Sequence, residues 1–158
     1  MKKPTKRFDE VYADFAHKTT QDVVLSEKGK KYIGRNLKPV DYFHVDGDIV
    51  PKNDPRMRCD FSIFTEETSN LYLIELKGGN NLAHAAKQIS MAIEILLTDE
   101  VMKPNNTYAR IVLSKSPGSQ LPLSVEEKIL RQKLHRLNGS FKEGHIQKQS
   151  KRLEEKLI

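Results

Sequence analysis

The chain has 158 residues, enough for one domain with a buried core, and carries 30% charged residues with a formal net charge of +6. No stretch approaches the roughly 18 consecutive apolar residues of a membrane span, so no membrane partner is expected. The basic start has no apolar run behind it and the single cysteine, Cys59, can form no internal disulfide, which together predict a cytoplasmic protein.

Phe8, Val11, Tyr12, Phe15 and Ala16 recur at helical spacing and predict a short helix over 7–18. Ser26 as N-cap predicts a second helix reaching Asn36, weakened by Gly29 and Gly34 and closed by Pro39. The stretch from Val40 to Val50 predicts a strand that ends near Asp46-Gly47 or turns there into a new start. Residues 57–65 and 71–77 predict two strands joined by a turn over 66–70. Gly78-Gly79-Asn80-Asn81 breaks the sheet before a helix over 82–97, whose stripe of Leu82, Ala85, Ala86, Ile89, Ala92, Ile93 and Leu96 is small enough to pack close to a sheet. A strand is predicted over 108–114. Ser124, followed by Glu126 and Glu127, opens a helix that Asn138-Gly139 ends. Residues 140–143 predict a further short strand and 145–157 a charged helical tail. No repeat or long linker divides the chain. One domain over 1–158 is expected, with its core at about 20–115 and a basic helical region at 124–158. This order predicts an α/β fold with a mixed central β-sheet flanked by helices.

The chemistry concentrates between Arg58 and Gln88. Glu75 and Lys77 lie two apart on a predicted strand and so share a face, and Asp60 on the preceding strand can stand opposite them in a hairpin. Two carboxylates suit a hard divalent cation, and an ammonium beside them can orient a water. Leu71 and Leu73 share that face, while Tyr72, Ile74 and Leu76 fill the other, which marks a central strand buried on both sides. A charged pair at the end of such a strand is costly to desolvate and argues for a use beyond structure. Lys128 to Lys156 holds much of the positive excess, which favours a polyanionic partner, nucleic acid above all.

These residues resemble the PD-(D/E)XK nuclease superfamily, over about residues 20 to 115. The family pattern is an Asp on one strand, Asp/Glu-x-Lys on the next, then a helix and another strand. Cys59-Asp60 and Glu75-Leu76-Lys77 match it, with Cys59 where the family has proline. Gln88 matches a helical Gln found in many members, while the tyrosine that follows it in the helicase-linked exonuclease branch is replaced by Ala92. The resemblance implies a restriction endonuclease-like core and hydrolysis of a phosphodiester with Mg2+ or Mn2+. By the same resemblance Asp60, Glu75 and the carbonyl of Leu76 bind the metal, Lys77 places the water, and Gln88 orients Lys77 or a phosphate. Glu27, with Glu10 behind it, is the expected acid from a first core helix. Arg56, Arg58 and Lys87 flank the site and are the expected contacts to nucleic acid. The substrate expected is DNA, cut by an endonuclease, and cutting of both duplex strands would favour a homodimer. An RNase directed at tRNA, a catalytically silent nucleic-acid-binding module, and an interaction subunit of a larger defence complex are the alternatives.

Overall fold

The structure is a computed structural model that describes residues 5–76, 81–115 and 123–158. Among the described residues, short β-rich runs separated by tight turns build nine strands. They are β1 (His17–Thr19), β2 (Val23–Glu27), β3 (Lys30–Arg35), β4 (Val40–His44), β5 (Phe61–Thr65), β6 (Asn70–Glu75), β7 (Asn106–Leu113), β8 (Ile146–Ser150) and β9 (Arg152–Lys156). Three α-helices accompany them: α1 (Phe8–Val11), α2 (Leu82–Leu96) and α3 (Val125–Asn138). Six strands form the main sheet in the order β1-β4-β5-β6-β7-β8, and β2-β3-β9 form a smaller one. In the main sheet β1 through β6 pair antiparallel, while β6–β7 and β7–β8 pair parallel. The expected α/β fold with a mixed sheet is therefore present.

The helices all gather on one face of the main sheet. Phe8 of α1, Ala85, Ala86, Ile89 and Ala92 of α2, and Leu130 and Leu134 of α3 share a cluster with Leu71, Leu73 and Ile111. Alanines at the α2 contact let its backbone sit close to the strands. The opposite face is covered by strands: Val23, Leu25, Tyr32 and Leu153 pack on Ile63, Tyr72, Ile74, Leu76 and Val112. Both faces of β6 are thus buried, as its apolar run predicts. A buried polar contact helps tie the two sheets. Arg110 of β7 donates from Nε to Glu155 of β9 at 2.7 Å, Tyr32 of β3 donates to the same carboxylate at 2.6 Å, and the guanidinium lies over Tyr72 and Tyr108.

Four expectations are corrected. Residues 26–36 are a hairpin, not a helix: Lys28 and Gly29 have φ of 46° and 80°, and such a two-residue turn matches the twist of paired strands. The first helix stops at Val11, with a 3-10 turn over Ala13–Phe15, because 17–19 pair with β4 at the sheet edge. Residues 140–143 form no strand, and a 3-10 turn starts at Glu143. The tail is not helical: β8 extends the main sheet and β9 the smaller one, with Lys151 at φ 63° turning the chain between them. By contrast α3 starts and ends as its residues predict. Ser124 and Glu127 form a capping box, and Gly139 closes the helix at φ 75°.

Candidate active site

β6 and β7 run parallel, joined by α2, so their carboxyl ends open beside the N-termini of α2 and α3. In open α/β sheets ligands bind outside the carboxyl ends of parallel strands. Glu75 is the last residue of β6, and Asp60 immediately precedes β5. Phe61 pairs with Ile74, so one step beyond that ladder Asp60 stands opposite Glu75. Alternation places Glu75 with Leu71 and Leu73, and Asp60 with Ser62 and Phe64, on the face toward α2. Both acids are buried, Glu75 at 0% and Asp60 at 4% exposure.

The main chain holds the pair in register. Asp60 N–H donates to the Ile74 carbonyl at 3.1 Å, and Leu76 N–H donates to Asp60 Oδ2 at 2.7 Å. This second bond fixes one carboxylate oxygen and orients the group. Cys59 lies fully buried beside them. Burial first, and then the charges of Glu75 and Asp60, push its thiol well above its ordinary pKa. A thiol so placed is an inert packing group.

Gln88 reaches the same segment from α2. Its Nε2 donates to the Arg58 carbonyl at 3.4 Å, and its buried Oε1 has no hydrogen-bond partner among the described residues. The amide therefore stands one residue from Cys59-Asp60 with acceptor capacity to spare.

The remaining expected residues fall elsewhere. Lys77 lies outside the described residues, as do 78–80 and 116–122. Glu27 is not on a helix. It ends β2, across from Lys30, in the sheet that covers the face opposite Asp60 and Glu75. Glu10 caps α1 by accepting from Arg7 N–H at 3.2 Å. Arg58 is committed to its own loop: it pairs with Asp46 at 3.0 Å and donates to the carbonyls of Asp54 and Arg56. Arg56 pairs with Asp54 and holds that carboxyl down to about 2. Lys87 is exposed on α2.

A second acidic group was not anticipated. Carboxylate oxygens of Asp9, Asp41 and Glu66 lie within 4.8 Å of one another and could hold a metal ion. The group sits at the far end of β5, where Asp41 pairs with Phe64. Two cations already occupy it. Arg7 grips Asp9 at 2.9 and 3.0 Å, and Lys18 Nζ lies 3.1 Å from Asp41 and 3.2 Å from Glu66. Burial raises the Asp41 pKa, with Lys18 opposing the rise. The signal for Asp41 was its parity with Phe43 and Val45, which puts a carboxylate on the core face of a strand.

No protein-family model matches the chain, and no curated protein or solved structure matches it either.

Proposed function

We propose that the protein is a metal-dependent nuclease of the PD-(D/E)XK type that hydrolyses phosphodiester bonds, with DNA as its substrate. The observation that carries this reading is the pairing of Asp60 with Glu75, buried and oriented at the carboxyl end of a central strand. The order β4-β5-β6, then α2, then β7 parallel to β6, supports it as the arrangement such a site requires.

The donor set fits a hard divalent cation: two carboxylates and the neighbouring Leu76 carbonyl offer oxygen only. Magnesium or manganese bound there would polarise the phosphodiester and acidify a water. The chain's residues have separate tasks. Asp60 is held by the Leu76 N–H, so its second oxygen keeps a defined direction. Gln88 presents an acceptor that can take a hydrogen bond from Lys77 or from the water. Lys77 would hold that water in line with the phosphorus and offset charge as it develops. The water oxygen would bond to phosphorus as the P–O bond to the 3′ oxygen breaks; the 3′ oxygen leaves and takes up a proton as a 3′ hydroxyl, and the phosphate stays on the 5′ side, the water's other proton passing to solvent.

The test is cleavage of a panel of supercoiled plasmid, branched DNA, single-stranded DNA and tRNA, with magnesium, with manganese and with EDTA. Metal-dependent cutting that disappears in both Glu75→Ala and Lys77→Ala establishes the reading and names the substrate. Salt-sensitive binding with no cutting, equal in wild type and variants, replaces it with a silent binding module.

A further inference from the structure

The acid pair opens on an end of the molecule to which the smaller sheet also delivers charge. Glu75 pairs with Ile111 of β7, and Ile111 with Lys148 of β8. Two residues past Ile111, the Leu113 carbonyl accepts from Lys151 N–H at 2.7 Å, and the Lys151 carbonyl accepts from Lys31 N–H at 2.8 Å. These bonds step from the end of β7 to the turn between β8 and β9, and on to the start of β3. From there β9 runs back toward the amino end of β6, where Asn70 Nδ2 donates to the Ile158 carbonyl at 2.8 Å. β3 lies parallel to β9, so it too starts at the carboxyl end of β6 and β7, and the β2–β3 turn at Lys28-Gly29 lies there with it. Strand spacing puts the Lys151 backbone about 10 Å from β6, with Lys31 one hydrogen bond further.

The side chains at this end are cationic. Lys28, Lys31, Lys151 and, just past β7, Lys115 are exposed, and none has an ion-pair partner among the described residues. Two further cations are already matched, Lys148 by Glu127 at 3.5 Å and Arg152 by Glu154 at 2.7 Å. Lys30 adds a charge on the inward side of β3, which it shares with Tyr32; it is 5% exposed and also lacks an ion-pair partner among the described residues. Glu27, across from Lys30, is the one acid among residues 27–31 and 150–152. Lysines gathered at one end raise the local potential, and a buried ammonium without a counter-charge is costly. A polyanion relieves both. Charges spread over two turns, on long flexible stems, suit successive phosphates of a backbone rather than one small anion.

We infer that this lysine-rich end carries the nucleic-acid backbone away from the cut. Its phosphates pass from Asp60 and Glu75 over the carboxyl ends of β7 and β8 to Lys151, Lys31 and Lys28. The inference rests on the nuclease reading for the position of the cut, and adds to it a binding surface built by the smaller sheet. Contacts to phosphate alone carry no base information, so this surface holds substrate without regard to sequence.

The experiment is fluorescence anisotropy of the full chain with labelled oligonucleotides of two unrelated sequences, in EDTA over a salt series. Lys31→Gln, Lys151→Asn and the double variant are compared with Lys103→Gln, which removes the same charge from an exposed lysine just before β7, at the opposite end of the sheet. Asparagine tolerates the left-handed backbone of Lys151, at φ 63°. Each turn variant should weaken binding of both sequences about fivefold and flatten the slope of log Kd against log salt by about one, and the double variant by about two. Lys103→Gln should change neither quantity. In the cleavage assay the turn variants should raise KM by a similar factor and leave kcat within about twofold. Circular dichroism melts check folding, with Lys28→Asn standing in for either single variant that does not fold. No loss in the turn variants, or an equal loss in Lys103→Gln, overturns the surface and leaves the nuclease reading standing. Weakened binding in the turn variants, with no metal-dependent cutting by wild type, keeps the surface as a nucleic-acid contact and overturns the nuclease reading. No binding and no cutting overturns both.

Discussion

Two groups of carboxylates lie on the same face of one sheet, at opposite ends of β5, and they differ in what surrounds them. Asp9, Asp41 and Glu66 are stitched together by Arg7 and Lys18, at a place where the strands pair antiparallel. Asp60 and Glu75 stand where parallel β6 and β7 end and two helices begin. Three acids within ligand distance make the richer cluster on a count of oxygens. The pair occupies the better place for chemistry. Position relative to chain crossings is the sounder guide, because cations within the fold can satisfy an acidic cluster with no substrate present.

The contrast can be broken most sharply by activity. Glu75→Ala should lower cleavage by about a thousandfold or more, whereas Asp41→Asn should leave it within about threefold, as read from initial rates on the cognate substrate. A loss of cutting in Asp41→Asn would move the site to the other end of β5. The next effect is on stability. Lys18→Ala leaves Asp41 buried beside other acids and should cost about 2 kcal/mol in urea unfolding, a figure kept modest because Lys18 is itself exposed. Gln88→Ala should slow cleavage about tenfold, about 1.4 kcal/mol, with its melting temperature little changed. The smallest effect concerns pH. Burial raises the Asp41 pKa, so the folded state holds that proton more tightly than the unfolded chain does. Stability from this group is fully present below the ordinary carboxylate value and is lost as pH rises through the raised folded value. Asp41→Asn cannot lose a proton, so its melting temperature relative to wild type should rise between pH 3.5 and pH 7. A difference that stays flat would mean Asp41 titrates normally.

Much of the site's frame was legible in local pattern. The two-sided apolar run of β6, the small-residue stripe of α2 and the capping box of α3 each carry their structure in adjacent residues. Ser26 mimics an N-cap and so hides the hairpin β2–β3; the alternation of Val23, Leu25 and Tyr32 around Lys28-Gly29 is the better signal. β9 was harder. Leu153 and Leu157 are spaced like one face of a helix, and the lysine that turns the chain between β8 and β9 has no glycine to announce it. Long-range groupings were not legible at all. Asp9, Asp41 and Glu66 meet only through the β1–β4–β5 register, and Lys148 joins the row of Glu75 only through two parallel pairings.

The last strand has a consequence for how the molecule is made. β9 pairs with β3, and the Tyr32–Glu155 bond spans 123 residues. Closing so long a loop is slow compared with forming a hairpin. While the chain is synthesised, β2–β3 can form early, yet the Arg110 guanidinium must wait for Glu155 before the two sheets lock. Until then Tyr72, Tyr108 and Val112 present a greasy, unsealed surface. The time between emergence of β3 and arrival of β9 is therefore this protein's window of greatest exposure to aggregation and to chaperone capture.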